Sequence, residues 1–156
     1  MHVRLIAVGE RQPAWVEDAC KAYEARLPRP WKFRIDTVAT ARRARNTVAG
    51  QAMSEEGKAI LDQVRPADCV VVLDEHGTLL STAALEKRLA EWLAGGRDLC
   101  FVIGGPDGLA PEVRDRADFV LSLSKLTLPH GLARVLLTEQ LFRAWSLSAG
   151  HPYHRA

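Results

Sequence analysis

The C-terminal end of the chain is the part of the sequence richest in groups that can move a proton or stabilise an anion. Its tail, His151-Pro-Tyr-His-Arg155, contains two histidines, a tyrosine and an arginine, which can donate protons, accept them or pair with a negative charge. Arg143 lies in the apolar segment before it. A core helix with a snorkelling arginine and a poorly ordered tail explains the same residues. The two histidines lack cysteine or acidic ligands at suitable spacing, so no metal site is predicted.

A glycine-rich segment, Gly104-Gly-Pro-Asp-Gly108, follows an apolar run and precedes a helix predicted to begin near Pro111. Consecutive glycines let a ligand approach backbone amides without a β-carbon in the way. The segment has neither the G-x-G-x-x-G pattern of a dinucleotide site nor the lysine and Ser/Thr of a P-loop. A ligand site and a tight strand-to-helix turn account for it equally well.

The segment Leu121–His130 contains four leucines that alternate with polar residues. So many leucines in a loop predict that it is tucked against an apolar surface, and a bound purine between them would satisfy its backbone groups. Alternatively, the leucines pack in the core and the serines act as caps. A third interpretation, Ser122 or Ser124 as a nucleophile activated by His130, lacks the G-x-S-x-G turn of such serines.

Strand-like and helix-like segments alternate along the chain and would position these groups. Strands are predicted at 1–8, 31–38, 69–73, 99–103 and 119–123. Helices are predicted at 13–28, 51–64, 81–95, 111–117 and 131–149. The first helix is predicted to bury Trp15, Ala19, Ala22, Tyr23 and Leu27. The alternation, with apolar central strands, predicts an α/β fold with a mostly parallel sheet and helices on both faces. Ligands bind such sheets beyond the carboxyl ends of the strands.

Length and composition predict a single folded domain, residues 1–156, with 47% hydrophobic and 26% charged residues. The three cysteines are not a disulfide framework, and Cys69 and Cys100 are expected to be small buried hydrophobes. No apolar run approaches the roughly 18 residues of a membrane span, and the N-terminus lacks the apolar core of a signal peptide. A cytoplasmic protein without membrane or metal partners is expected.

The net charge of +2 conceals an uneven distribution. Between Arg26 and Arg45 there are seven basic residues and one acid, a local charge of +6, which leaves −4 for the remainder. Such a stretch is either a contact surface for a polyanion or a solvated loop. Residues 39–50, at its end, are the best candidate for a mobile loop.

Several segments together resemble the H-type enzymes of the SPOUT superfamily, bacterial methyltransferases that modify N3 of a pseudouridine in large-subunit ribosomal RNA. The resemblance covers essentially the whole chain, with the segments in one order and at one overall length. They are Leu5–Gly9, Val72–Asp74, Phe101–Leu109, Leu121–His130, Arg143–Trp145 and His151–Arg155.

The resemblance implies an α/β domain with a C-terminal trefoil knot, a homodimer, S-adenosylmethionine as cofactor and 23S ribosomal RNA within the ribosome as substrate. The implied cofactor-binding residues follow the strand ends: Leu73, Gly104, Leu123, Ser124, Lys125, Leu126, Thr127 and Leu128. The implied catalytic residues are Arg143, Tyr153, His154 and Arg155.

On this basis Arg155 or Arg143 is expected to stabilise the imide anion that develops on the base. His154 or a water is expected to accept the proton, and Tyr153 to stack on the base or hydrogen-bond to it. The alternative is a non-catalytic ribosome-binding or assembly factor that kept the fold. The intact loop and tail argue against that alternative.

Overall fold

Five parallel strands form one sheet in this computed structural model, which describes residues 1–42 and 48–155. The strands are β1 (Val3–Val8), β2 (Arg34–Val38), β3 (Cys69–Leu79), β4 (Leu99–Ile103) and β5 (Phe119–Ser122). The helices are α1 (Ala14–Glu24), α2 (Ala49–Gln63), α3 (Thr82–Ala94), α4 (Pro111–Arg116) and α5 (His130–Ser148). The strand order is β2-β1-β4-β3-β5, and every pairing is parallel. The predicted α/β fold is confirmed.

Helices cover both faces of the sheet because the central strands are largely apolar, with Arg4 of β1 buried and paired to Asp68. Leu5 and Phe101 point to one face and belong to a core cluster that α1, α3 and α5 complete. Ile6 and Val102 point to the other face, which α2 and α4 cover. All four side chains are fully buried, as the two-residue period of a strand requires when both faces are packed.

The face that α1 buries agrees with the prediction only in part: Leu27 is buried and Tyr23 packs against the core, as predicted, but Trp15 and Ala22 are exposed. Trp15 is 56% exposed, whereas Val16 and Cys20 are buried. Apolar residues occupy two neighbouring stripes of this helix, and the packing of α1 on α5 selects the one that contains Val16, which lies against Gly131. The periodicity alone could not choose between the two stripes.

Strand β2 begins three residues later than predicted, because Arg29–Trp31 form a 3-10 turn with a proline at its start. Lys32 follows in the left-handed conformation, with φ of 47°. These two features delay the extended backbone until Arg34.

Strand β3 continues to Leu79, six residues beyond the predicted end. Its pairing with β5 shifts register between Leu73 and Thr78, so the intervening residues bulge out of the ladder. A Cβ on Gly77 would lie 2.8 Å from the carbonyl oxygen of Val120. Only glycine allows the two strands to approach so closely here.

Other predicted boundaries agree within a few residues, and Ser81 caps α3 by accepting a hydrogen bond from the Ala84 amide. Cys69 and Cys100 are buried, as predicted. Of the predicted mobile loop at 39–50, residues 43–47 lie outside the described residues. In the ranges 1–42 and 48–155, the structure has no helix with the length and hydropathy that a membrane crossing requires.

Candidate functional site

A cavity of about 460 Å³ opens at the carboxyl ends of β4 and β5, beside the bulge in β3. Three segments line it: the bulge that follows Leu73, the turn that follows Ile103, and the loop that follows Ser122. The first turn of α5 closes one side through His130 and Ala133. The cavity therefore lies where a parallel sheet is expected to bind a ligand.

The turn after β4 is shaped by contacts that only glycine permits. A Cβ on Gly104 would lie 2.8 Å from the carbonyl oxygen of Gly108. The turn closes on itself when the Gly108 amide donates to the Gly105 carbonyl at 3.0 Å, and Gly108 has a positive φ of 89°. The fold thus gives this segment a structural reason for its glycines and also places it in the cavity wall.

The loop between β5 and α5 is held by hydroxyl groups. The single Ser122 hydroxyl proton is shared between the carbonyl oxygens of Glu75 and Ser124, at 3.2 and 2.9 Å. The Ser124 hydroxyl accepts from the Leu126 amide, and Thr127 donates to the Glu75 carboxylate at 3.0 Å. The two serine hydroxyls are engaged with the backbone, which argues against the serine nucleophile.

Seven of the eight residues predicted to bind a cofactor line this cavity. They are Leu73, Gly104, Leu123, Ser124, Leu126, Thr127 and Leu128. Lys125 is exposed and does not line the cavity. The loop is only partly tucked in, because Leu126 is 75% exposed and offers a free apolar face at the cavity mouth.

Acidic residues on the cavity rim were not predicted as site residues. Asp74, Glu75 and Asp107 all line the cavity. Asp74 pairs with Arg114 at 3.5 Å, and the His76 ring lies 3.3 Å from its other oxygen. The position of residues 74–77 after a buried strand was the available signal. Carboxylates at this rim favour a ligand that carries positive charge.

The four residues predicted to be catalytic come together at the other end of α5. The Tyr153 ring packs on Phe142, with centroids 4.6 Å apart, and the Arg26 guanidinium lies 4.7 Å from the Tyr153 centroid. The Tyr153 hydroxyl donates to Glu139 at 3.0 Å, and Arg143 donates to the same carboxylate at 2.8 Å. Burial first, and then hydrogen bonds with Tyr23 and Glu139, raise the pKa of Tyr153 to about 12. Tyr153 is therefore a neutral donor at physiological pH.

His154 and Arg155 differ from the two residues just described. The Nδ1 atom of His154 is buried and has no hydrogen-bond partner among the described residues. Arg155 is exposed and forms no ion pair with them. The charge of Arg143, by contrast, is already compensated by Glu139.

One chain does not bring the two groups together. Helix α5 has 19 residues and is therefore about 28 Å long. Its first turn lines the cavity, whereas the tail packs on Phe142 and Trp145 near its last turns. None of the described tail residues lines the cavity.

The basic stretch is only partly free to meet a polyanion. Arg26 is engaged with the tail and Arg34 with Asp36. Arg29, Lys32 and Arg42 are exposed. Arg43 and Arg45 lie outside the described residues.

No group of three or more histidine, cysteine or acidic residues that could hold a metal ion occurs in the described part of the chain.

Comparison with known proteins identifies the family. A family model described as a predicted SPOUT methyltransferase matches residues 1–154. Proteins named ribosomal RNA large subunit methyltransferase H are 49% identical in Thioalkalivibrio sulfidiphilus and 47% identical in Methylibium petroleiphilum, each over 99% of both chains. The solved structure of a probable methylase family protein from Haemophilus influenzae shares the fold, with a TM-score of 0.56 at 14% identity over 99% of this chain and 70% of its own. The chain belongs to the SPOUT family of methyltransferases.

Proposed function

We propose that this methyltransferase transfers a methyl group from S-adenosylmethionine to N3 of a pseudouridine in 23S ribosomal RNA, on assembled ribosomes in the cytoplasm. The near full-length relatives named for large-subunit ribosomal RNA support the substrate class. The observation that carries the proposal is the cavity at the ends of β4 and β5, beside the bulge in β3, in which seven of the residues expected to bind the cofactor meet.

The cavity fits this cofactor in size, polarity and charge. Its volume of about 460 Å³ lies in the range of small-molecule sites. Leu73, Leu126 and Leu128 offer apolar surface for a purine, and the backbone of the Gly104 turn lies open to its edge. Arg114 also lines the cavity and pairs with Asp74, so the carboxylate of Glu75 is the one that suits a ligand with a sulfonium and an ammonium group. Lys125, the eighth residue expected to bind the cofactor, is included in the proposal through its backbone, because its side chain does not line the cavity.

The separation of the tail from the cavity supports a homodimer with shared sites. In one chain, the helix places Arg143 about 20 Å from His130. A second copy can bring its own Tyr153, His154 and Arg155 to this cavity while keeping its tail packed on its own α5. We include in the proposal the trefoil knot of the family and a single domain over residues 1–156.

S-adenosylmethionine supplies an activated methyl group, so the protein has mainly to align it with the nucleophile and manage one proton. The N3–H proton leaves the base, the N3–CH3 bond forms, the S–CH3 bond breaks, and S-adenosylhomocysteine and a proton are the products. The nitrogen attacks well only as it loses its proton, which leaves negative charge on the flanking carbonyl oxygens. A cation beside those oxygens lowers the barrier.

The geometry favours Arg155 over Arg143 as that cation. Arg155 is exposed and has no ion pair among the described residues, whereas Arg143 is held by Glu139 at 2.7 Å. Arg143 instead positions the tail through Glu139, which also binds the Tyr153 hydroxyl. The proton acceptor is His154 or a water; the Nδ1 atom of His154 has no partner among the described residues but is buried. Tyr153 keeps its ring against Phe142 and supports the tail rather than stacking freely on the base.

Labelled S-adenosylmethionine tests the proposal directly. The protein is incubated with naked ribosomal RNA, isolated large subunits and whole ribosomes, each lacking the modification, and transfer is expected to whole ribosomes. S-adenosylhomocysteine binding is measured by calorimetry in parallel. If the protein neither transferred label to any of these substrates nor bound S-adenosylhomocysteine, a non-catalytic ribosome-binding factor would be favoured.

The role of Arg155 has its own test. At saturating cofactor, Arg155→Ala is expected to lower kcat by about 100-fold, the effect of losing one donor to a developing oxyanion. Arg88→Ala, an exposed arginine on α3, is the matched control and keeps the wild-type rate. Unchanged turnover in Arg155→Ala would remove its proposed role.

A further inference from the structure

A second cleft, of about 590 Å³, opens at the carboxyl ends of β1 and β2. Pro106 and His130 line both this cleft and the cofactor cavity, so the two spaces are neighbours. A group bound in the cleft would lie next to the methyl donor. The proposed function assigns no role to the cleft.

An aromatic ring and a cation stand at the rim of the cleft. Trp15 lines it and is 56% exposed, an unusual amount for so large an apolar side chain. Arg11 also lines the cleft, is exposed, and forms no ion pair with any described residue. An exposed aromatic face beside a guanidinium is the combination that binds single-stranded nucleic acid, because the ring stacks on a base and the cation meets its phosphate.

An amide group lies between two glycines in the same cleft. A Cβ on Gly9 would lie 2.8 Å from Nε2 of Gln12, and a Cβ on Gly131 would lie 2.9 Å from its Oε1. The amide thus occupies space that both glycines leave open, and within the described residues it forms no hydrogen bond. It offers one donor and one acceptor side by side, which is what the edge of a base requires.

The backbone beneath these groups is held in place. Gly9 has a positive φ of 112°, its amide donates to the Val38 carbonyl at 2.8 Å, and its carbonyl accepts from Arg134 at 3.1 Å. Arg134 is itself buried, with 5% of its surface exposed. A fixed turn of this kind keeps Arg11 and Gln12 ready for a ligand, at little cost in entropy.

We propose that the cleft binds one nucleotide of the RNA substrate, with its base on Trp15 and Gln12 and its phosphate on Arg11. This inference rests on the proposed function and adds a binding site to it. The exposed ring of Trp15 and the Arg11 guanidinium, which forms no ion pair with any described residue, are the features of the cleft that suit a nucleotide. Glu10 shares the rim, so stacking on Trp15 supplies most of the binding.

Steady-state methyl transfer to ribosomes that lack the modification provides the test. Trp15→Ala is expected to raise KM for ribosomes about tenfold, within the loss typical of one base–aromatic stack. Trp15→Phe, which keeps a ring, is expected to stay within about threefold of wild type. Both variants keep the wild-type affinity for S-adenosylhomocysteine and the wild-type sedimentation coefficient.

The charged and polar contacts are tested in the same assay. Arg11→Ala is expected to reduce the slope of log KM against log salt by about one phosphate contact, whereas Arg88→Ala leaves it unchanged. Gln12→Met, of similar volume but without the amide, is expected to raise KM while leaving cofactor affinity unchanged.

Three outcomes separate the possibilities. Unchanged KM in Trp15→Ala, with normal wild-type transfer, would overturn the nucleotide site alone. A changed sedimentation coefficient in Trp15→Ala would show that a second copy covers the cleft and would also overturn it. Failure of the wild type to methylate any ribosomal particle would overturn the proposed function, and the nucleotide site with it.

Discussion

Replacement of Gly104 by alanine tests whether the turn after β4 shapes the cofactor cavity. The added Cβ would lie 2.8 Å from the Gly108 carbonyl oxygen, 2.9 Å from Cδ2 of Leu109 and 3.0 Å from the Gly108 carbonyl carbon. Two of these neighbours are backbone atoms, so the turn has to open. Overpacking of this kind costs about 1–3 kcal/mol. If this whole free-energy cost destabilises the turn conformation that binds the ligand, the Kd for S-adenosylhomocysteine rises by about five- to more than a hundredfold.

Calorimetry with S-adenosylhomocysteine measures that Kd, and urea unfolding measures how much of the penalty falls on stability. Gly50→Ala is the matched control, because Gly50 lies in α2 and, apart from its own helix backbone and chain neighbours, no atom of the described residues lies within 4 Å of its Cβ position. It is expected to leave binding unchanged and to raise the free energy of unfolding by about 0.5 kcal/mol. If Gly104→Ala bound the ligand as tightly as wild type and unfolded at the same urea concentration, the role assigned to the turn would be refuted.

Three further predictions concern pH. Burial, Tyr23 and Glu139 raise the pKa of Tyr153 to about 12, so Glu139→Gln is expected to lower it towards 10; ultraviolet titration of the two tyrosines measures this, and an unchanged curve would contradict it. Burial raises the pKa of Cys100 from 9.0 to about 12, so the contribution of this thiol to the free energy of unfolding is fully present below pH 9 and is lost as the pH rises towards 12. Urea unfolding should therefore show a smaller loss of stability at alkaline pH for Cys100→Ala than for wild type, and an identical loss would count against the assignment. Burial alone would raise the pKa of Asp118, but hydrogen bonds from the Val70 amide, Arg97 and Arg116 more than offset it, so its net pKa is lowered. Its contribution is therefore lost as the pH falls below about 4; Asp118→Asn is expected to cost about 1 kcal/mol at neutral pH and to flatten the acid limb, and wild-type acid sensitivity in that variant would refute the assignment.

The sheet could be predicted from the sequence because its strands are either apolar throughout or bounded by strong breakers. The apolar runs at Cys69 and Leu99 mark buried parallel strands, and Leu99–Ile103 was predicted to the residue. Predictions failed where two patterns competed. In α1 the spacing predicts a buried Trp15, whereas the contact with α5 buries Val16.

The cavity wall could be predicted only in part. The rule that ligands bind at strand ends, together with the family resemblance, selected Gly104 and the loop at 123–128, and the structure gathers all of these except Lys125. The polar residues 74–77 break the apolar pattern of β3, so its continuation to Leu79 and the acidic rim were missed. That continuation depends on pairing with β5, where Thr78 lies opposite Leu121, 43 residues away in the chain. The cleft beside Trp15 was missed because the ring was predicted to be buried.

The most direct test of the account is complementation between two defective variants. Leu126→Arg places a cation in the mouth of the cofactor cavity, at a side chain that is 75% exposed, and Arg155→Ala removes the proposed anion-stabilising group. Each variant alone is expected to keep about 1% of wild-type transfer or less. If the tail of one copy completes the cavity of the other, co-expressed variants pair at random, half of the dimers are mixed, and about a quarter of all sites combine an intact cavity with an intact tail. The co-purified mixture is therefore expected to recover about a quarter of wild-type methyl transfer. A mixture as inactive as either variant alone would contradict the shared site.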